Sequence, residues 1–391
     1  MALWGPGGLS RAATLESRAS RFGHGWEAPL LFAITVVLLS FGLVTVYSTS
    51  AVMAQTEGLR DYHYVVNQAA GGALGVVLLG AMSMVDYRLL RLLAWPLLLG
   101  TLVVLAIMII PGTQVIAPEI NHVRRWLYLG PLRIQPSEFA KLTLIVWTAA
   151  LAVRKQDRLR SLTRGLGPFL LLWLLTFALI AAQPSFSAAA MVVLLAGLVL
   201  FAAGARIGHF LMLGVIGLPL LWSRVGSVAY QLQRVVAFLD PRHDPAGVNY
   251  QITQSLIAMG SGGMVGKGFG HGEQKFGFLP EPHNDFIFAM VGEEWGFLGL
   301  AMITLLFVAF ALVGYRVARN APDRFGSLLA VGVTNLIVVQ ALLHMAVNLA
   351  LVPTTGITLP FLSYGRSSLL VCLMSVGILL NIARHAERDR E

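Results

Sequence analysis

The amino-acid sequence predicts an all-α polytopic membrane protein with ten transmembrane helices and a large extracytoplasmic loop between helices 7 and 8. Three observations carry this. Hydrophobic residues fill 57% of the 391 positions and charged residues only 12%, with a mean hydropathy of +0.74, a balance that a domain with a solvated surface does not reach. The apolar residues lie in long runs, most near the roughly 18 residues that cross a hydrocarbon core about 30 Å thick, rather than in the alternating ten-residue segments of a barrel. Finally, Lys and Arg concentrate in the short segments on one side, as the positive-inside rule requires.

The runs fall at about 29–48, 65–84, 88–110, 138–153, 168–183, 186–204, 207–222, 286–315, 327–351 and 367–383. Arg11, Arg18 and Arg21 precede the first of them, which is too long for the 7–15-residue apolar region of a signal peptide and reads as a span. Gln183-Pro184 separates the fifth run from the sixth, because proline breaks the helical ladder and disfavours helix at the residue before it. One kinked span there would give nine crossings and termini on opposite sides. With ten, both termini are cytoplasmic. The layout is then a tail at 1–28, a membrane domain at 29–383 carrying an outer loop at about 223–285, and a tail at 384–391. In that loop Tyr230–Leu239 and Tyr250–Met259 mix apolar and polar residues at helical spacing, as short interfacial helices do.

The net charge of +9 is dispersed in short clusters between apolar runs, which argues against nucleic acid as a partner. The single cysteine, Cys372, lies in an apolar run and excludes a disulfide framework or a Cys-based metal site. The cations that topology does not ask for are informative. Arg124, Arg125 and Arg133 crowd a short outer loop, and Arg224, Arg234, Arg242, Lys267 and Lys275 lie in the long one. Such placement suggests an anionic ligand.

Three segments could carry chemistry. Glycine fills eight of the eighteen positions 260–277, so the backbone can approach a ligand closely or converge its amides on an anion. The segment continues through Lys267, Lys275, Glu281 and His283 to Asp285, where the chain re-enters the membrane. A carboxylate there suits either the N-cap of the next helix or a general base beside a partly dry cavity. Glu293 and Glu294 follow within the span and require partners or a wet cavity. The second segment, Asn121–Leu142, contains Arg124-Arg125-Trp126 and Gln135-Pro136-Ser137-Glu138, with Ser137 expected as an N-cap. Its Lys141, inside a span, needs a buried partner, and Glu138 lies three residues away on the same face. The third, Val352–Ser368, is a Pro/Gly/Thr-rich outer loop containing Ser363 and Arg366.

Together these segments resemble the SEDS family of cell-wall polymerases (shape, elongation, division and sporulation), which includes FtsW, RodA and SpoVE. The resemblance covers nearly the whole chain and rests on Arg124-Arg125-Trp126 through Lys141, on Pro280–Phe288 with Asp285, and on Leu359–Gly365. It implies an inverting glycosyltransferase that polymerises lipid II at the outer face of the bacterial cytoplasmic membrane. Asp285 is the implied catalytic base. Arg124, Arg125, Trp126, Lys141, Lys267, Lys275, Glu281, His283 and Ser363 are the implied substrate-binding residues, with Arg124, Arg125, Lys267 and Lys275 neutralising the leaving diphosphate beside a divalent cation, Mg or Mn. Implied partners are lipid II, the undecaprenyl-diphosphate-linked glycan, a class B penicillin-binding protein that cross-links the strand, other division proteins and membrane lipid.

Three positions depart from the family pattern. Ser185 follows Gln183-Pro184 where an aspartate is usual, so Lys141 must pair otherwise, with Glu138 or Glu294. Arg366 stands in place of a glycine, and His283-Asn284-Asp285 replaces His-Thr-Asp. Tyr250–Ala258 and Gly377–Ile382 look more like the division branch, which places the protein at the septum, than like the RodA-like elongation branch. A lipid II flippase or transporter is the competing function. It would spread polar residues through the bilayer depth, whereas here they gather at one face.

Overall fold

The computed structural model describes residues 25–388, except 111, 114–116, 119–123, 131, 160, 162–164, 213, 216, 218–237, 239–246 and 248. The helices are α1 (Glu27–Thr56), α2 (His63–Met84), α3 (Arg88–Ile107), α4 (Pro136–Arg154), α5 (Gly167–Ala181), α6 (Phe186–Ala202), α7 (Tyr250–Ser261), α8 (Ile287–Asn320), α9 (Arg324–Asn348) and α10 (Arg366–Arg388). Among the described residues seven of them are long and apolar enough to cross a membrane, and α5 and α6 are shorter apolar helices. These nine match nine of the ten expected spans. The run at 207–222 is helical over 207–212, and much of its further course, like most of 230–239, lies outside the described residues.

The nine-span alternative fails on two contacts. Arg316, near the end of α8, donates from Nε to the Glu27 carboxylate at 2.9 Å, and Gly25 lies against the side chain of Glu387. The start of α1 and the end of α10 therefore share one face, which requires an even number of crossings. At that face Asp323 accepts from the Gly326 amide at 2.9 Å, capping α9, and binds the Tyr87 hydroxyl.

Helices in lipid gain little from hydrophobic exclusion, so small residues that allow close approach decide which of them meet. A Cβ at Gly75 of α2 would come within 2.3 Å of Leu373, and one at Gly377 of α10 within 2.5 Å of the Leu79 carbonyl oxygen. This seam fixes α2 against α10.

Helix α8 is broken at Gly296, whose φ of 64° and ψ of −162° lie outside any helix. The glycine segment repairs the break. Phe297 and Leu298 donate their amides to the carbonyls of Gly263 (2.9 Å) and Met264 (3.1 Å), while Lys267 and Gly268 donate to those of Glu293 (2.9 Å) and Glu294 (3.0 Å). The expected amide nest exists, but its anion is internal. The Glu293 carboxylate accepts from the Glu273 and Gln274 amides at 2.9 and 3.1 Å and pairs with Lys267 at 3.0 Å.

Two expected caps are corrected. Gln135, not Ser137, is the N-cap residue of α4, with Pro136 in its first turn, where a missing N–H is harmless. Phe286, not Asp285, occupies that position in α8, and its own side chain makes no capping bond. A short antiparallel hairpin, β1 (Leu127–Leu129) and β2 (Leu132–Ile134), also departs from the all-helical expectation. It turns through Gly130 at φ 63° and sets Tyr128 opposite Arg133.

Candidate active site

A cavity of about 1070 Å3 opens at the end of the bundle opposite the termini, lined by the β-hairpin, residues 184–188, residues 281–285 and the loop before α10. Asp285 reaches it through a tight turn. Glu281, at φ 51°, stands between two prolines and accepts the Asn284 and Asp285 amides on its carbonyl, at 3.2 and 3.1 Å. The left-handed backbone at a non-glycine residue is strained, and its neighbours hold it. Ser363 donates from Oγ to the Asn284 carbonyl at 2.7 Å, and the Tyr364 amide donates to the His283 carbonyl at 2.9 Å. From α9 the fully buried Asn348 donates to the Asp285 carbonyl at 3.2 Å and accepts the Ala289 amide at 3.0 Å.

Asn348→Ala would remove both bonds, with a cost of about 1–3 kcal/mol for each buried group that finds no other partner. The expected result is a lower melting temperature in detergent and a fall in kcat larger than any rise in KM. A variant matching wild type in both would remove Asn348 from the positioning of Asp285.

The loop before α10 is not a surface loop. Phe361 lies against α1 so closely that a Cβ at Gly42 would sit 2.3 Å from its carbonyl oxygen, and Phe361, Leu362 and Ser363 are buried. Irregular backbone is tolerated at such depth because protein surrounds it. Gln68 of α2 donates to the Ser363 carbonyl at 2.9 Å and accepts the Gly365 amide at 3.1 Å.

Lys141 has its partner. Its ammonium lies 2.8 Å from Glu138 Oε2 and 2.8 Å from Gln340 Oε1, while the Gln340 amide donates to Thr358 and Ser368. Ser185 therefore leaves no buried charge stranded, and Glu294 is engaged elsewhere.

Two cations stand on another wall. Gln135 donates its amide to Ser367 Oγ at 2.9 Å, pinning the hairpin to the start of α10 and bringing Arg133 and Arg366 to the cavity together. Arg133 sits 5.0 Å from the Tyr128 ring centroid. Among the described residues neither arginine forms an ion pair with a carboxylate. Arg366 occupies the N-terminal end of α10, where the helix dipole opposes a cation, so helix stability does not explain it.

Burial lowers the His283 imidazole to about 4, only partly offset by Glu57, so the ring is neutral between Tyr64 and Tyr364, at 5.0 and 5.4 Å. Burial and then the charge of Glu57 push the Glu281 carboxyl up. Burial likewise raises the Tyr364 phenol against the pull of Arg366 and Arg133, keeping it a hydrogen-bond donor.

The structure thus brings Asp285, Arg125, Trp126, Lys141, Glu281 and His283 to one cavity and seats Ser363 behind its wall. It does not bring Arg124, Lys267 or Lys275 there. Arg124 reaches the Ile110 carbonyl at 3.5 Å; Lys267 pairs with Glu293 and Glu273; Lys275 is buried against Glu294 at 2.9 Å and the Gly270 carbonyl at 2.7 Å. Gln68, Gln340 and Asn348, missed as supports of the site, carried a legible signal: they are amides inside otherwise apolar runs, a rare placement that calls for a buried partner. Among the described residues no three Asp, Glu, His or Cys side chains are grouped to hold a metal ion.

Fold and site define a multi-pass membrane protein with a polar, partly acidic and partly basic cavity at one membrane face. A family model for the cell cycle proteins FtsW, RodA and SpoVE matches residues 29–388, and the chain belongs to that family. It is 41% identical to stage V sporulation protein E of Bacillus subtilis (strain 168) over 91% of this chain and 97% of that one. It is 40% identical to the probable peptidoglycan glycosyltransferase FtsW of Trichlorobacter lovleyi over 90% and 92%. Among solved structures it superposes on a chain of a peptidoglycan synthase complex that coordinates polymerization and crosslinking, with TM-score 0.73, 28% identity and coverage of 93% and 98%. It also superposes on RodA of Thermus thermophilus, with TM-score 0.66, 27% identity and coverage of 92% and 97%.

Proposed function

We propose that the chain is the division-branch peptidoglycan glycosyltransferase of its cell, polymerising lipid II at the outer face of the cytoplasmic membrane at the septum, with both termini cytoplasmic. The observation that carries this reading is a single cavity in which Asp285 shares the walls with Arg133 and Arg366. That pairing of a proton acceptor with anion receptors is what glycosyl transfer from a lipid diphosphate requires. The relatives named FtsW support the branch, and the likeness to a synthase-complex chain supports a class B penicillin-binding protein as partner.

In the proposed step the 4-hydroxyl of one lipid II attacks the anomeric carbon of the growing strand with inversion. The new C–O bond forms as the bond to the diphosphate breaks; the electron pair leaves with undecaprenyl diphosphate, and the hydroxyl proton passes to the Asp285 carboxylate. Arg133 and Arg366 stabilise the departing charge with planar forks that match phosphate oxygens. The test is the reconstituted full chain, alone and with its transpeptidase, incubated with labelled lipid II. Glycan strands are expected; lipid II flipping without strands in either arrangement would overturn the reading in favour of a transporter. Arg366→Gly is expected to raise KM for lipid II about tenfold or more, in line with roughly 1.5–3 kcal/mol for a hydrogen bond to a charged group. An unchanged KM and kcat would remove Arg366 from the diphosphate site.

A further inference from the structure

The glycine segment that repairs the break in α8 has a second side. Inwardly it presents Lys267 and two amides to Glu293. Outwardly it exposes Met264, Val265 and Phe269, with Val265 73% exposed. These apolar side chains are not isolated. The carbonyls of Gly263 and Met264 bond the amides of Phe297 and Leu298, both 57% exposed on α8, and the exposed face of that span continues through Met302, Leu305 and Leu312.

Depth points the same way. Phe269 contacts Trp295 with ring centroids 6.4 Å apart, and Trp295 contacts Phe41 at 5.3 Å. Phe41 lies midway along α1 (Glu27–Thr56), so the rings packed against it sit well inside the span. The one charged side chain within residues 263–269, Lys267, turns inward to Glu293 and pairs with Glu273.

We propose that residues 263–269 form a re-entrant loop seated in the outer leaflet, with Met264, Val265 and Phe269 against lipid acyl chains. The loop is an anchor with two functions in one segment, lipid on its outer side and the buried carboxylates of α8 on its inner side. Unpaired backbone is forbidden in hydrocarbon, and the four hydrogen bonds exchanged with the broken helix are what permit the segment to enter. The proposal holds whether or not the chain polymerises lipid II.

Its test is site-directed spin labelling of the full-length protein in phosphatidylethanolamine–phosphatidylglycerol vesicles. Cys372 is buried, so Val265→Cys and Glu273→Cys are separately labelled without altering it. Collision with oxygen, which concentrates in hydrocarbon, is compared with collision with a water-soluble nickel chelate. At 265 the ratio of oxygen to nickel accessibility is expected to exceed that at 273 severalfold. Met264→Cys serves as a second probe and should follow 265. Equal, water-like ratios at 264, 265 and 273 would overturn the proposal. So would exclusion of both reagents at 264 and 265, which would place protein rather than lipid over the loop.

Discussion

Asp285→Ala and Asp285→Asn are both expected to abolish strand formation from lipid II while leaving the protein folded. Asparagine keeps the shape and much of the hydrogen-bonding capacity of the side chain but takes no proton, so it separates basicity from position. Loss of a general base lowers rate by about 10²–10⁴-fold, which in a gel assay of labelled lipid II reads as absence of product. The fold is expected to survive because Asp285 is not the N-cap residue of α8, which is Phe286, and the Ala289 amide in the first turn is met by Asn348. The backbone of the turn is held by bonds from Ser363, Tyr364 and Asn348 to main-chain carbonyls, which both variants keep. Matching melting curves for wild type and both variants would establish this. Strand synthesis by Asp285→Asn at more than a few per cent of the wild-type rate would remove Asp285 from the role of base.

The largest effect on stability is expected at Lys275. Its ammonium is buried between the Glu294 carboxylate, the Ser48 hydroxyl and the Gly270 carbonyl, and Ser48 donates to both Glu294 oxygens at 2.6 and 2.8 Å. Lys275→Met strands a buried carboxylate, a change that costs about 3–5 kcal/mol when one partner of such a pair is removed. Replacing both partners is milder, because nothing charged is left without compensation. The double variant Lys275→Met/Glu294→Gln should therefore melt above Lys275→Met, although it carries one more substitution. If the double variant were less stable than either single one, the pair would not be the unit described here.

Much of the fold was legible because lipid imposes few solutions. Apolar run length located nine described spans, and Pro184 separated α5 from α6 as its chemistry requires. What was not legible was which charges face each other across the fold. In the sequence Lys267 and Lys275 read as cations awaiting a phosphate, because it shows charges without their partners, and those partners, Glu293 and Glu294, lie on another element. Arg133 and Arg366 lie far apart in sequence, and the packing that brings them to one wall, with its Gln135–Ser367 hydrogen bond, joins distant elements. The Glu138–Lys141 pair, by contrast, was legible, because three residues along one helix fix the geometry locally. Ser137 and Asp285 both suit a cap by residue type and neither is one, for a related reason: a good capping residue near a helix start does not determine which residue the backbone places there.

The seat of Phe361 against Gly42 sets an order of events during biogenesis. Helix α1 leaves the ribosome early, yet the segment that packs into its flank and braces the Asp285 turn comes from the last part of the membrane domain. Until that segment folds inward, the turn lacks Ser363 and Tyr364, and the wall bearing Arg366 does not exist. A partly inserted chain therefore carries an unassembled site, and the chemistry becomes available only when insertion is nearly complete.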